Sequence, residues 1–198
     1  TGNLAVGNVV GSNLVNVGGD EPWELGQGRS AQRSAEVGVE HVYVEYLAKL
    51  HELTSSYGKR MMVWADVLMR HPDSVHLLPP DTIVVDWGYE ADHPFEREAA
   101  MLSESHFDWI VCVGNSAWNT VAGRWENARL NILRAATAAL SVKRRAKGFM
   151  VTEWGDNGHF QQLPIGLPGF ILSAVAAWNR QEAQVFDIVS AVERVLLT

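Results

Sequence analysis

Apolar and polar positions alternate along this chain in a repeating order. Short β-rich apolar runs lie at Leu14 to Val17, Met61 to Trp64, Thr82 to Trp87, Trp109 to Val113 and Phe149 to Trp154. They read as unbroken apolar runs, which suits strands of a parallel sheet covered on both faces. Helical patterns separate them. The longest spans Gln32 to Tyr57, with Val39, Val42, Tyr43, Tyr46, Leu47 and Leu50 at helical spacing and Gly58 as its stop. Pro94 opens a second over Phe95 to Ser105, and Trp125 to Arg145 forms a third. Pro168 opens a fourth over Gly169 to Asn179, and Phe186 to Leu197 forms the last. Arg70 to Pro80 leaves little room for a full helix.

Strand–helix alternation predicts an α/β fold with a parallel sheet. Two architectures compete, an open doubly wound sheet and a (β/α)8 TIM barrel. Most of the strands end in an acidic residue or a tryptophan: Asp20-Glu21, Trp64, Trp87 and Trp154. Functional residues at strand end after strand end suit a barrel, whereas a doubly wound sheet gathers them at one switch point. The chain therefore reads as a single partial barrel domain over residues 1–198, about strands 4 to 8 with their helices. The first three units are expected to be missing, and residues 1 to 13 read as a connecting loop.

Composition narrows the partners. The net charge of −7 argues against nucleic acid and anionic membranes, which favour basic faces. No apolar run is long enough to span a bilayer. The one cysteine, Cys112, excludes an internal disulfide framework and reads as a buried thiol. The seven histidines show no metal-ligand spacing, and no phosphate-binding loop or nucleophile elbow is present, so no metal or cofactor is expected. Localisation stays open, since the chain begins at Thr1.

The most specific feature is Leu14-Val15-Asn16-Val17-Gly18-Gly19-Asp20-Glu21-Pro22-Trp23. A strand runs into two glycines that let the backbone turn, and two carboxylates follow. Neighbouring carboxylates suit a division of labour in which one stays ionised and the other is held protonated to act as an acid. The eight tryptophans matter through their positions. Trp109 and Trp178 read as core. Trp64 stands beside Asp66, Trp87 beside Tyr89 and Trp154 beside Asp156, while Trp118 lies just past the fourth strand. Aromatic faces stack on sugar C–H faces and carboxylates bind hydroxyls, so this set points to a carbohydrate pocket.

These residues resemble a known family. Asn16 to Trp23 looks like the signature of glycoside hydrolase family 20, the β-N-acetylhexosaminidases. Val63-Trp64-Ala65-Asp66, Asp86-Trp87-Gly88-Tyr89 and Thr152-Glu153-Trp154-Gly155-Asp156 follow in the family's order. Gly18 to Glu21 also echoes the Gly-Gly-Asp-Glu-Phe signature of diguanylate cyclases, but Pro22 and the strand–helix order do not suit that family.

The family 20 resemblance implies a (β/α)8 barrel whose acid pair follows the fourth strand. It also implies substrate-assisted retaining hydrolysis of a terminal non-reducing β-linked N-acetylhexosamine. By the same resemblance Glu21 is the general acid/base and Asp20 orients the substrate's acetamido group. Trp64, Trp87 and Trp154 wall the pocket and Asp156 binds distal hydroxyls; Tyr89, Asp66 and Trp118 belong to the carbohydrate pocket as read from the residues themselves. The family's acetamido-binding tyrosine has no match at Val113 to Trp118, and Tyr89 is the substitute. The family's early arginine falls outside this chain, so the missing N-terminal part of the barrel is an expected partner. Two other readings of the same pocket are a retaining glycosidase with a carboxylate nucleophile and a non-catalytic carbohydrate-binding barrel.

Overall fold

The computed structural model describes residues 11–142 and 146–197. Most of the loop expected over residues 1 to 13, and the end of the helix expected to reach Arg145, lie outside them. The fold is α/β, with one sheet of five parallel strands flanked by helices. The strands are β1 (Leu14–Asn16), β2 (Arg60–Trp64), β3 (Ile83–Trp87), β4 (Asp108–Gly114) and β5 (Ala146–Thr152), and they neighbour one another in sequence order. In the β1–β2 ladder Val15 lies opposite Met61, and in the β2–β3 ladder Met62 lies opposite Ile83. The continuous apolar runs expected of covered strands hold for β2, β3 and most of β4. They fail at the ends of the strand order: Leu14 of β1 is exposed, and Phe149 to Thr152 of β5 are only half-buried. A strand with one neighbour has less around it to cover its side chains.

The chain divides into two compact units, residues 1–86 with 104–109 and residues 87–103 with 110–198. The first carries β1, β2, most of β3, and the helices α1 (Ala31–Val37), α2 (Val39–Ser56) and α3 (Asp66–Arg70). The single helix expected over Gln32 to Tyr57 is two. Gly38 at φ 92° leaves the helical region and ends α1, its N–H closing on Ser34. Tyr43, Val44 and Leu47 form the buried face of α2, which packs on β2. Arg70 to Pro80, expected to leave little room for a full helix, begins at the last residue of α3 and holds a 3₁₀ turn over Pro72–Leu77.

The second unit carries the rest of β4, β5, and α4 (Phe95–Glu104), α5 (Trp125–Val142), α6 (Leu167–Trp178), α7 (Arg180–Val185) and α8 (Ile188–Leu197). Helix α6 packs on α5, α7, α8 and β5. Its buried side chains include Leu172, Ser173 and Ala176. Trp178 lies two residues beyond Ala176, about 200° around the helix, and is 93% exposed, which overturns its reading as core. Trp109 and Cys112 are buried as expected. Helix α7 was not legible as a hydrophobic stripe; its start is set by Asn179, whose side chain accepts the N–H groups of Gln181 and Glu182. Among the described residues no helix is long and apolar enough to cross a membrane.

Candidate functional site

In the first unit the acid pair sits on a turn built by backbone necessity. The N–H of Gly18 bonds to the Asn16 side chain at 2.8 Å, and the Gly18 carbonyl accepts the N–H of Trp64 at 3.2 Å, extending the β1–β2 ladder past the strand. Gly18 and Gly19 then take φ of 78° and 89°. At Gly19 a Cβ would come within 2.8 Å of the Tyr43 hydroxyl and 3.2 Å of Val63, so this position needs glycine for both space and conformation. Tyr43 is buried, and its hydroxyl donates to the Gly19 carbonyl at 2.8 Å. Burial, followed by the negative charges of Asp66 and Asp20, pushes this phenol well above the usual tyrosine range. Sequence periodicity marked Tyr43 only as a core position; its place under the acid pair depends on how α2 packs.

Asp20 and Glu21 leave this turn with exposed side chains. Glu21 itself has φ 44°, left-handed backbone that a non-glycine residue seldom adopts. Its N–H is held by Asp66 Oδ2 at 3.1 Å. The same oxygen receives Arg70 Nη2 at 2.6 Å, one helical turn along α3. Asp66 Oδ1 is buried without a hydrogen-bond partner among the described residues. The Arg70 guanidinium stands 5.5 Å from the ring centre of Trp23, which is otherwise exposed. Pro22, Trp23, Val67, Arg70 and His71 help to line a shallow cavity of about 160 Å3. Trp64, expected as a pocket wall, is 8% exposed and belongs to this unit's core.

In the second unit the expected aromatics meet. Trp87 and Tyr89 lie 5.1 Å apart between ring centres at 33°, and Tyr89 meets Trp118 edge-on at 5.0 Å and 72°. Trp154 Nε1 donates to the Tyr89 hydroxyl at 2.9 Å. Asparagines from α5 hold the backbone beneath. Asn131, fully buried, donates to the carbonyls of Gly88 and Glu90 at 3.0 and 2.9 Å and accepts the N–H of Gly114 at 3.4 Å. Asn127 donates to the Tyr89 carbonyl at 2.7 Å and to Ser116 at 2.8 Å. Arg124 pairs with Glu90 and holds its carboxyl below the usual range. Neither asparagine stood out in the sequence, because a polar residue on an apolar helix face shows its partner only after folding.

Beside Trp154, Glu153 turns inward. Its Oε2 accepts from Asn115 Nδ2 at 3.0 Å, and its Oε1 lies 3.2 Å from His159 Nε2. Asp156, expected to bind hydroxyls, is exposed and opens the 3₁₀ turn Asp156–Gly158. The sequence motif thus contains two acids with different settings: Glu153 is fixed by protein partners, and Asp156 stands in solvent. No family model and no curated protein matches this chain.

Proposed function

We propose that the chain is the strand 4 to 8 portion of a family 20-type (β/α)8 barrel that hydrolyses terminal β-linked N-acetylhexosamine. The observation that carries the reading is the acid pair itself. Two adjacent exposed carboxylates follow a strand end on a turn where glycine is required, and one of them stands on strained backbone held by a third carboxylate. Strain retained at a solvent-facing acid is a mark of a functional position. The clustered Trp87, Tyr89 and Trp118 with Trp154 support a sugar ligand, because they offer aromatic faces beside polar edges.

In this reading the substrate's acetamido oxygen attacks the anomeric carbon as the glycosidic C–O bond breaks. Glu21 gives its proton to the departing oxygen, and an oxazolinium ion forms. Asp20 accepts the acetamido N–H, aligns the attacking oxygen and offsets the positive charge that develops. Glu21, now a carboxylate, takes a proton from water as the water oxygen bonds to the anomeric carbon. The oxazolinium ring opens, and configuration is retained. For the second unit the resemblance assigns Tyr89 to the acetamido oxygen, Trp87 and Trp154 to the sugar ring and N-acetyl methyl, and Asp156 to distal hydroxyls.

The test is turnover of a chromogenic N-acetyl-β-glucosaminide by the full-length protein, in which the expected N-terminal barrel units accompany this chain, together with inhibition by a thiazoline analogue of the oxazoline. Turnover with tight thiazoline inhibition is expected. Turnover insensitive to thiazoline would point instead to a protein nucleophile, and no turnover would overturn the enzymatic reading.

A further inference from the structure

We infer that Asp66 and Arg70 are positioning residues for Glu21, and that Asp66 acts through the Glu21 backbone rather than on the sugar. The inference rests on the proposed acid role of Glu21. The left-handed backbone at Glu21 opposes the ordinary preference of a residue with a Cβ, so something must hold it. The group that does so is Asp66 Oδ2, which accepts the Glu21 N–H from across 45 positions of sequence. An acceptor on a flexible side chain would do this loosely. Asp66 is fixed twice over: it opens α3, and the Arg70 guanidinium reaches back to the same oxygen at 2.6 Å.

Arg70 is steadied in turn. Its Nε donates to the Asp66 carbonyl at 3.2 Å, and its guanidinium lies against the Trp23 ring. Trp23 follows Glu21 by two residues, and its own N–H bonds to the Glu21 carbonyl at 2.7 Å. A closed circuit results: Glu21 N–H to Asp66, Asp66 to Arg70, Arg70 to Trp23, Trp23 N–H to Glu21 carbonyl. Both backbone polar groups of the proposed acid are therefore held from one loop and one short helix. The direction from which the Glu21 carboxyl leaves the chain is set by this circuit, and proton transfer to a leaving oxygen is sensitive to that direction.

This differs from the role that the sequence implies, in which Asp66 binds substrate, and the two roles separate kinetically. A positioning loss lowers kcat where protonation of the leaving group is needed and spares substrates that leave without help. A lost sugar contact acts alike on every leaving group.

The experiment compares Asp66→Asn, Asp66→Ala and Arg70→Met with Glu21→Gln, on a poor (methylumbelliferyl) and a good (dinitrophenyl) leaving group carried by the same N-acetylglucosaminide. Asp66→Ala is expected to lower kcat on the poor leaving group by roughly 10- to 100-fold, with little change in KM or on the good one. Asp66→Asn keeps an acceptor for the Glu21 N–H and should lose less. Arg70→Met, whose native side chain is about half exposed, should lose less again while folding normally. It carries the same leaving-group test if Asp66→Ala does not fold. Asp66→Ala added to Glu21→Gln should cost no further activity. Amide exchange at Glu21 should quicken in Asp66→Ala. A rise in KM shared by both substrates, or full additivity with Glu21→Gln, would overturn the positioning role while leaving the acid role intact. If Glu21→Gln itself changes nothing, the acid reading fails and the inference falls with it.

Discussion

The Tyr43 hydroxyl donates to the Gly19 carbonyl at 2.8 Å and occupies the space where a side chain at position 19 would begin. One contact thus ties the N-terminal part of α2 to the turn that presents the acid pair. Gly19→Ala should cost about 1–3 kcal/mol of stability, from the positive φ and from the displaced phenol. Tyr43→Phe vacates the oxygen's space but leaves the Gly19 carbonyl unpaired, at a cost of about 1 kcal/mol. Combining the two should cost less than their sum, because the clash is gone. Urea unfolding of the three variants measures this, and strict additivity would contradict it.

The same phenol gives a pH dependence with a definite sign. Its deprotonation is pushed up by burial and by Asp66 and Asp20, so the folded chain holds the proton more tightly than the unfolded chain. The contribution is complete below the unfolded value near 10 and is lost as pH rises above it. Unfolding measured from pH 8 to 11 should show a steeper alkaline loss for the native chain than for Tyr43→Phe. Parallel curves would remove Tyr43 as the cause.

Glu21→Gln should lower turnover of a poor leaving group by roughly 10²–10⁴-fold, the usual contribution of a positioned acid–base group. The loss should shrink on a good leaving group. Asp20→Ala should act mainly through kcat, because its contact with the acetamido N–H strengthens as charge develops. Steady-state kinetics on the two substrate types decide both; an Asp20 variant with raised KM and native kcat would make that residue a simple binding group.

Asn131 joins three backbone groups, two on the loop after β3 and one at the end of β4, from inside a fully buried site. Asn131→Leu is close in size but satisfies none of them, and should destabilise the protein by about 2–4 kcal/mol. Because the carbonyls of Gly88 and Glu90 flank Tyr89, binding of an N-acetylglucosamine analogue should weaken as well. Melting temperature and inhibitor titration check the two effects, and a stable variant with native affinity would show that the loop holds itself.

Trp154→Phe keeps an aromatic face and removes the N–H given to the Tyr89 hydroxyl. If that bond orients Tyr89 toward the acetamido group, Trp154→Phe and Tyr89→Phe should each lower kcat, and the double variant should be no worse than Tyr89→Phe. Independent losses would separate the two residues.

Strand and helix positions were legible in the chain because periodicity depends only on side-chain type and spacing. The apolar runs of β2, β3 and β4, the helix opened by Pro94 and the glycine turn before Asp20 all lie where local pattern put them. So did the conjunction of Trp87, Tyr89, Trp118 and Trp154, since strand-end residues of one sheet come out at the same edge. What local pattern could not decide was which polar group meets which. The break at Gly38, the exposed Trp178, the buried Asn131 and the inward turn of Glu153 depend on packing between segments far apart in sequence. The acid pair shows the division most clearly. Its residues and its turn are written in ten consecutive positions, but the carboxylate that holds Glu21 in left-handed backbone comes from α3 and the phenol beneath Gly19 from α2. A hydrogen bond needs a partner within about 3 Å and in the right direction, and only the folded chain supplies both.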